Sequence, residues 1–364
     1  MKPIRIFNNN LTLLAELDNY ENMIVNRKFY SYGKLELNIN INKQNTEYLQ
    51  KGNIIMVGND KNKIYIIKQI KINLDQQGKG TETLNVLANY MSSLFLNRIC
   101  IPKALSEFDA VTDKSETVIK HYIENNITNA TDTDRNISIL NLLADQARGT
   151  TIAWSARYTN LMTELNKISI FDDVGIECSL NYATKEIDID VLPVVDHTST
   201  SLNPVIFSYE YGNIETQEYI NSDIDYKNVA IVGGNGEGAS RLIEEVGTDT
   251  DLNRVEIFVD ARDLSTGLFE YGKQLLSETP LIETLEGQIL KSGPFEYEVD
   301  FDLGSKVTIQ NKKWDVELDS IISEITESYE VSGFKLECVF GNSVVELGDK
   351  INKKFSDLSK TVTI

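Results

Sequence analysis

The stretch GSKVTIQNKKWDVELDSIISEITESYEVSGFKLEC, Gly304 to Cys338, carries the pattern that decides the fold. It reads as a glycine turn, a short apolar strand, an Asn-containing hairpin, a long alternating strand, a glycine-bearing turn and a returning strand. The same order occurs 252 positions earlier, in GNIIMVGNDKNKIYIIKQIKINLDQQGKGTETLNV from Gly52 to Val86. Aligned without a gap, Ile55 falls on Val307, Val57 on Ile309, Asn59 on Asn311 and Ile64 on Val316. Farther on, Ile66 falls on Leu318, Ile70 on Ile322, Leu84 on Leu336 and Val86 on Cys338. One β-module is therefore expected twice in the chain. The competing reading is two unrelated hairpins that share a generic alternation.

Upstream of the first copy, Ile4 to Phe7, Met23 to Phe29 and Lys34 to Ile41 read as strands, the last with strict period-two alternation. After Ile101-Pro102 the texture becomes helical. Helices are expected from Ser115-Glu116, from about Asn136 to Ala147, and over Tyr158 to Ile168. A β pair, Gly175–Tyr182 with Glu186–Val191, follows. Strands return at Pro204–Phe207, Tyr226–Val232 and Arg254–Val259, with a helix in the first half of Glu270–Leu290. The fold class is α+β, mostly β: two related β-barrel-like modules plus an inserted α+β domain. Residues 1–98 are expected to form the first module, completed by about 203–232. Residues 99–202 form an inserted peripheral domain, and 233–345 the second module with a helical insertion. Residues 346–364 place Leu347, Ile351, Phe355, Leu358 and Val362 at helical spacing, an amphipathic helix.

A chain of 364 residues with 41% hydrophobic and 25% charged residues can bury two or three cores. Its net charge of −20, with no basic patch, opposes specific binding to a phosphate backbone. No apolar run is long enough to span a bilayer, and the N-terminal residues do not have the pattern of a signal peptide. Cys100, Cys178 and Cys338 are odd in number and widely spaced, as expected of free buried thiols in a reducing compartment.

No catalytic, cofactor-binding or metal-ligating residue is expected. The cluster Gly233-Gly234-Asn235-Gly236-Glu237-Gly238 follows a strand. It lacks the Lys-Ser/Thr of a phosphate loop and carries a repelling glutamate, so it reads as a hairpin loop. Asp249 to Asn253 resembles the opening of a calcium loop, but Arg254 stands where that loop needs glycine. Asp132-Thr133-Asp134 reads as a helix cap. His121 and His197 are the two histidines, in unrelated segments, and no zinc or Ser/His/Asp pattern is legible. Glu296, Glu298, Asp300 and Asp302 are expected on one face of a strand whose other face is Phe295, Tyr297, Val299 and Phe301. Such a row needs water, cations or a basic partner. Its functional reading is an acidic subunit contact or channel lining.

Several motifs in order resemble a family of long-tailed phage proteins. These are Asp196-His197-Thr198, Asn203 to Ser208, Tyr226 to Ala230, the glycine loop with Arg241, Arg254 to Arg262, Phe301-Asp302-Leu303-Gly304 and Phe340-Gly341. The family is the tail-tip hub, the structural portion of tail-associated lysins, akin to baseplate hubs. The sequence departs from it at Ser305 and His197. The resemblance implies a homotrimeric ring that closes the tail tube and adapts sixfold to threefold symmetry, two modules per chain giving six units. It also implies contacts with distal tail and tube proteins, the tape-measure protein and tip or fibre proteins. DNA would pass through the lumen without specific binding. The place implied is the virion tail tip, assembled in the host cytoplasm, and the role is non-enzymatic. A cell-wall hydrolase and a receptor- or glycan-binding tail protein are the alternatives.

Overall fold

Fourteen strands join into one long sheet in the computed structural model, which describes residues 2–74, 80–262, 264–290 and 293–341. From one edge the order is Ile214–Ser222, Ile282–Ile289, Gly333–Gly341, Val316–Glu330, Asn22–Lys28, Lys34–Asn40, Gly80–Tyr90, Ile64–Leu74, Ile54–Val57, Ile4–Phe7 and Leu13–Leu17. Ser305–Asn311 pairs with Val316–Glu330 and, in parallel, with Val195–His197 and Ile206–Ser208.

A five-strand unit is present twice in this order. In the first half, Asn22–Lys28, Lys34–Asn40, Gly80–Tyr90, Ile64–Leu74 and Ile54–Val57 are successive antiparallel neighbours. In the second, Ile214–Ser222, Ile282–Ile289, Gly333–Gly341, Val316–Glu330 and Ser305–Asn311 repeat that order and sense. Each unit buries one face. The first core holds Met23, Leu35, Leu37, Ile39, Ile55, Ile67, Val86 and Ala88. The second holds Leu285, Ile289, Val307, Ile309, Ile322, Ile325, Cys338 and Phe340.

A bulge fixes how the halves correspond. It lies between Ile67 and Gln69 opposite Ala88 in one, and between Ile322 and Glu324 opposite Phe340 in the other. Ala88 thus matches Phe340, and Leu84 and Val86 match Leu336 and Cys338, as the ungapped alignment expects. Ile55 and Val57 likewise occupy the positions of Val307 and Ile309. The long middle strand is different. Its counterparts lie three residues further on, so Ile66 matches Ile321, Ile67 matches Ile322 and Ile70 matches Ile325. The second hairpin keeps pairing to Asn311–Val316, whereas the first opens above Met56–Ile64. The opposite turn is correspondingly tighter, closing at Glu330–Gly333.

Residues 99–193 fold outside the sheet, on the helices Ser115–Ile123 and Leu161–Asp172 and the hairpin Val174–Asn181/Glu186–Pro193, whereas Val195–His197, expected in the same domain, joins the sheet beside Ser305–Asn311. Their core includes Ile54, Met56 and Ile64 from the outer face of the first half. That is why Ile54 to Val57 is an unbroken apolar run: both faces of the strand are covered. The helix expected over Asn136–Ala147 is absent. Leu140–Leu142 is instead a strand parallel to Ile187–Ile189, where Asn141 Nδ2 donates to Asp188 at 2.7 Å. Here tertiary pairing overrides local periodicity.

Two further expectations are corrected. Ile206–Ser208 and Ile214–Ser222 pair within the second half, so segment 203–232 does not complete the first. A second small domain lies between Ile214–Ser222 and Ile282–Ile289. In it Val229–Gly233 pairs with Ile243–Val246 and Glu256–Asp260, and the helix Leu268–Leu276 shares a core with Ala230, Val232 and Val246. The expected strand Phe295–Asp302 is a turn, with Glu298 at φ 68 and an isolated bridge between Tyr297 and Phe301. Phe295, Tyr297 and Phe301 do pack on the second core, but Val299 is 71% exposed. The expected helix 346–364 lies outside the described residues.

Candidate functional site: the charged seam and the open face of the sheet

The two halves meet where Asn22–Lys28 pairs with Glu324–Glu330. Beside this junction, the turn that replaces the expected acidic strand sets Glu298 and Asp302 against Lys63 and Arg27. Lys63 is fully buried, and its ammonium is held by Glu298 and by the equally buried Glu327, with Asp60 at 3.8 Å. Tyr297 donates to Glu327 Oε1 at 2.8 Å, Tyr329 donates to Oε2, and the Lys63 Nζ lies 5.1 Å from the Tyr297 ring centre. Arg27 donates to Asp302 Oδ1 at 2.6 Å and to the Tyr297 hydroxyl at 2.9 Å. Arg27 and Lys63 belong to the first half and, Asp60 apart, their partners to the second. Burial pushes the Glu327 carboxyl up, but the Lys63 charge and the hydrogen bonds from Lys63, Tyr329 and Tyr297 outweigh it and hold it below the usual carboxylate range. Glu327 therefore stays ionised at neutral pH, and the seam bolts one half to the other. Glu298 and Asp302 are thus engaged in ion pairs within the chain.

Beyond the part that the 99–202 domain covers at Ile54, Met56 and Ile64, the face of the sheet opposite the two cores is largely polar and differs between the halves. Around the first, Asn38 Nδ2 donates to Asn22 Oδ1 at 2.7 Å and Asn85 donates to Asn38, an amide ladder across three strands. Around the second stand Glu218, Glu286, Glu324 and Glu337. Burial and then the charges of Glu218, Glu324 and Glu337 raise the Glu286 carboxyl above its ordinary value. Through the bulge correspondence, Glu324 takes the place of Gln69 and Glu337 that of Asn85. An acidic face thus exists on strands other than the one expected. Glu337 sits between the core residues Leu336 and Cys338, and Glu286 and Glu324 each adjoin one, Leu285 and Ile325, but only the strand order gathers the four glutamates.

The remaining candidates are scattered. His121 Nε2 lies 2.8 Å from Asp109 Oδ1, whereas His197 Nδ1 lies 3.0 Å from the Asn203 carbonyl, in a separate part of the molecule. In the glycine loop, Arg241 donates to the Gly233 and Gly234 carbonyls at 2.7 and 3.1 Å and pairs with Asp260. The Gly234 and Asn235 amides are taken by Leu242 and Leu264, and Ala239-Ser240 stands after the last glycine where a phosphate loop needs Lys-Ser/Thr. Asp249–Asn253 ends in a short turn over Asp251–Asn253 and leads into the strand Glu256–Asp260. The Asp132 side chain accepts from the Asp134 amide, a cap as expected. Within the 99–202 domain, buried Glu116 is held by Arg148 at 2.7 Å and Lys120 at 2.7 Å. Among the described residues, no three His, Cys, Asp or Glu are grouped to hold a metal, and no helix is long and apolar enough to cross a membrane. The three cysteines are free and buried.

Among curated proteins, none matches the chain in sequence. Solved structures share its fold. The 43 kDa tail protein of prophage MuSo2 from Shewanella oneidensis is 9% identical, with a TM-score of 0.56 over 93% of this chain and 98% of that one. The tail protein from Neisseria meningitidis MC58 is 11% identical, with a TM-score of 0.55 over 94% of this chain and 97% of that one. Prophage tail protein gp18 from Listeria monocytogenes EGD-e is 10% identical, with a TM-score of 0.54 and full coverage of both chains. Residues 3–342 match a single family. The repeated five-strand unit thus sits on a tail-protein fold, and the chain belongs to the family of Siphovirus ReqiPepy6 Gp37-like proteins.

Proposed function

We propose that this tail protein is a non-enzymatic hub at the tail tip, three copies of which form a ring. The ring closes the tail tube and adapts its sixfold symmetry to a threefold tip. The observation that carries this reading is the five-strand unit found twice in one sheet. Three chains then supply six similar sectors without six subunits. The polar face opposite the cores is the natural lining of the lumen. Its glutamates repel passing DNA, so the genome does not stick. The domain 99–202 covers one end of this face, over Ile54, Met56 and Ile64, and together with 223–281 is free to meet distal tail, tape-measure and fibre proteins.

Solution mass and negative-stain imaging of the purified chain test this. A three-copy ring with six similar lobes is expected. A stable dimer, or an open filament with no closed ring, would overturn the reading. Incubation with purified peptidoglycan should release no fragments, and release would replace the structural role with a hydrolytic one.

A further inference from the structure

We propose that neighbouring copies join by strand addition in a fixed register, residues 69–72 of one copy pairing antiparallel with residues 219–222 of the next. This rests on the ring reading above and specifies its subunit contact. Within the chain, the two halves are joined by Glu324–Glu330 pairing with Asn22–Lys28, with Glu324 opposite Lys28, Thr326 opposite Asn26 and Glu327 opposite Val25. The bulge correspondence carries Glu324–Glu327 onto Gln69–Ile72 in the first half. It also carries Leu35 onto Leu285 through their shared partners Ala88 and Phe340, and hence Val25 onto Tyr219. Each chain therefore makes this junction once and holds both members of a second one apart.

Both members are open edges. Among the described residues, Gln69–Ile72 has ladder partners only on Gly80–Tyr90, and Tyr219–Ser222 only on Ile282–Ile289. An edge with unpaired backbone groups is a template for another strand. Transferring the internal register sets Gln69 opposite Ser222, Ile70 opposite Asn221, Lys71 opposite Ile220 and Ile72 opposite Tyr219. The faces agree. Lys71 and Ile220 lie on the face away from the cores, through their partners Asn85 and Thr284, while Ile72 and Tyr219 lie on the core side, through Leu84 and Leu285. Ile72 is 54% exposed in the single chain, and the Tyr219 ring of the next copy would cover it. The contact is head-to-tail, using different surfaces on the two partners, which is the kind that generates rings.

Antiparallel partners have Cα atoms about 4.5–5.5 Å apart in either ladder position, inside the disulfide range. The native cysteines are buried and do not compete; burial pushes the Cys100 thiol up to about 12. Oxidation of the full chain carrying Lys71→Cys and Ile220→Cys should convert the monomer band into a covalent three-copy band on a denaturing gel. Mixing the two single variants should give covalent dimers and nothing larger. The off-register combination Lys71→Cys with Ser222→Cys should leave the monomer band largely intact. Ile70→Cys with Asn221→Cys provides a second in-register pair should the first variant fold poorly. A three-copy solution mass without in-register crosslinking, or with equal crosslinking off register, overturns the pairing and leaves the ring standing. In-register crosslinks that ladder beyond three copies support the pairing and sink the closed ring. Absence of any multi-copy species, by mass or crosslink, removes both.

Discussion

The two halves of the sheet share strand order, strand sense and a bulge, yet they differ in what covers them. The first half is sandwiched: its hairpin strands bury Ile54, Met56 and Ile64 under the 99–202 domain as well as Ile55 and Val57 in its own core. The second half leaves the same outer positions polar, at Lys306, Thr308 and Asp319. Architecture is therefore conserved where the halves must look alike around an axis, and surface chemistry diverges where each meets a different neighbour. On the open face, amides in one half stand where acids stand in the other, so the sectors are alike in shape and unlike in charge.

The sharpest way to break the comparison is to cut the seam between the halves. Lys63→Met leaves Glu327 buried and uncompensated, and should destabilise the chain by about 3–5 kcal/mol. Chemical denaturation measures this, and Lys63→Met combined with Glu327→Leu should recover most of the loss. Recovery of nothing would mean that Lys63 acts through packing. Acid tests the same bond. The folded Glu327 and Glu116 carboxyls both lie below their ordinary values. Their contribution is thus complete above the usual carboxylate pKa and disappears as pH falls through the lower folded values. The melting temperature of the native chain should fall on acidification, and that of the doubly substituted chain should fall less steeply.

A paired glycine experiment sharpens the comparison further. Gly52 and Gly304 open equivalent hairpins with φ +90 and +84, a region that disfavours side chains. A Cβ at Gly52 meets nothing within 4 Å, whereas one at Gly304 would stand 2.4 Å from the Phe29 ring. Gly52→Ala should cost about 1 kcal/mol of backbone strain. Gly304→Ala should cost about 2–4 kcal/mol, because the ring must also move. Equal costs in thermal or chemical unfolding would contradict the close approach. The smallest effect is expected at Glu177, in the 99–202 domain. Burial raises its carboxyl to about 7. A raised acid favours folding at low pH, and that contribution is lost as pH rises from the ordinary value through about 7. Glu177→Gln should therefore stabilise the protein above pH 7, on the order of 1 kcal/mol, and leave it unchanged near pH 4.

Much of the repeat is readable in the chain, because Ile55/Val307, Val57/Ile309, Leu84/Leu336 and Val86/Cys338 are core positions with a period of two. The middle strand is not, since its three-residue offset is absorbed by two turns of unequal length. Turn length leaves no mark on alternation. Leu140–Leu142 misled for another reason: a short strand held by Ile187–Ile189 has no periodicity of its own to show. The stretch Phe295–Asp302 alternates and is still a turn, because Glu298 and Asp302 are drawn to Lys63 and Arg27 from a distant part of the sequence. The acidic face was not legible, since Glu218, Glu286, Glu324 and Glu337 become neighbours only through strand order.

The strands of the first five-strand unit follow one another without a long interruption between Asn22 and Tyr90, while the second is split by residues 223–281 between its first two strands. Loop closure across such a gap delays pairing. During synthesis the first half can therefore condense alone and wait as a scaffold. Lys63 and Glu327 are 264 positions apart, so their contact closes only after nearly everything else has been built. A subunit whose second half is unfinished therefore has only Asp60, 3.8 Å away, to set against the Lys63 ammonium.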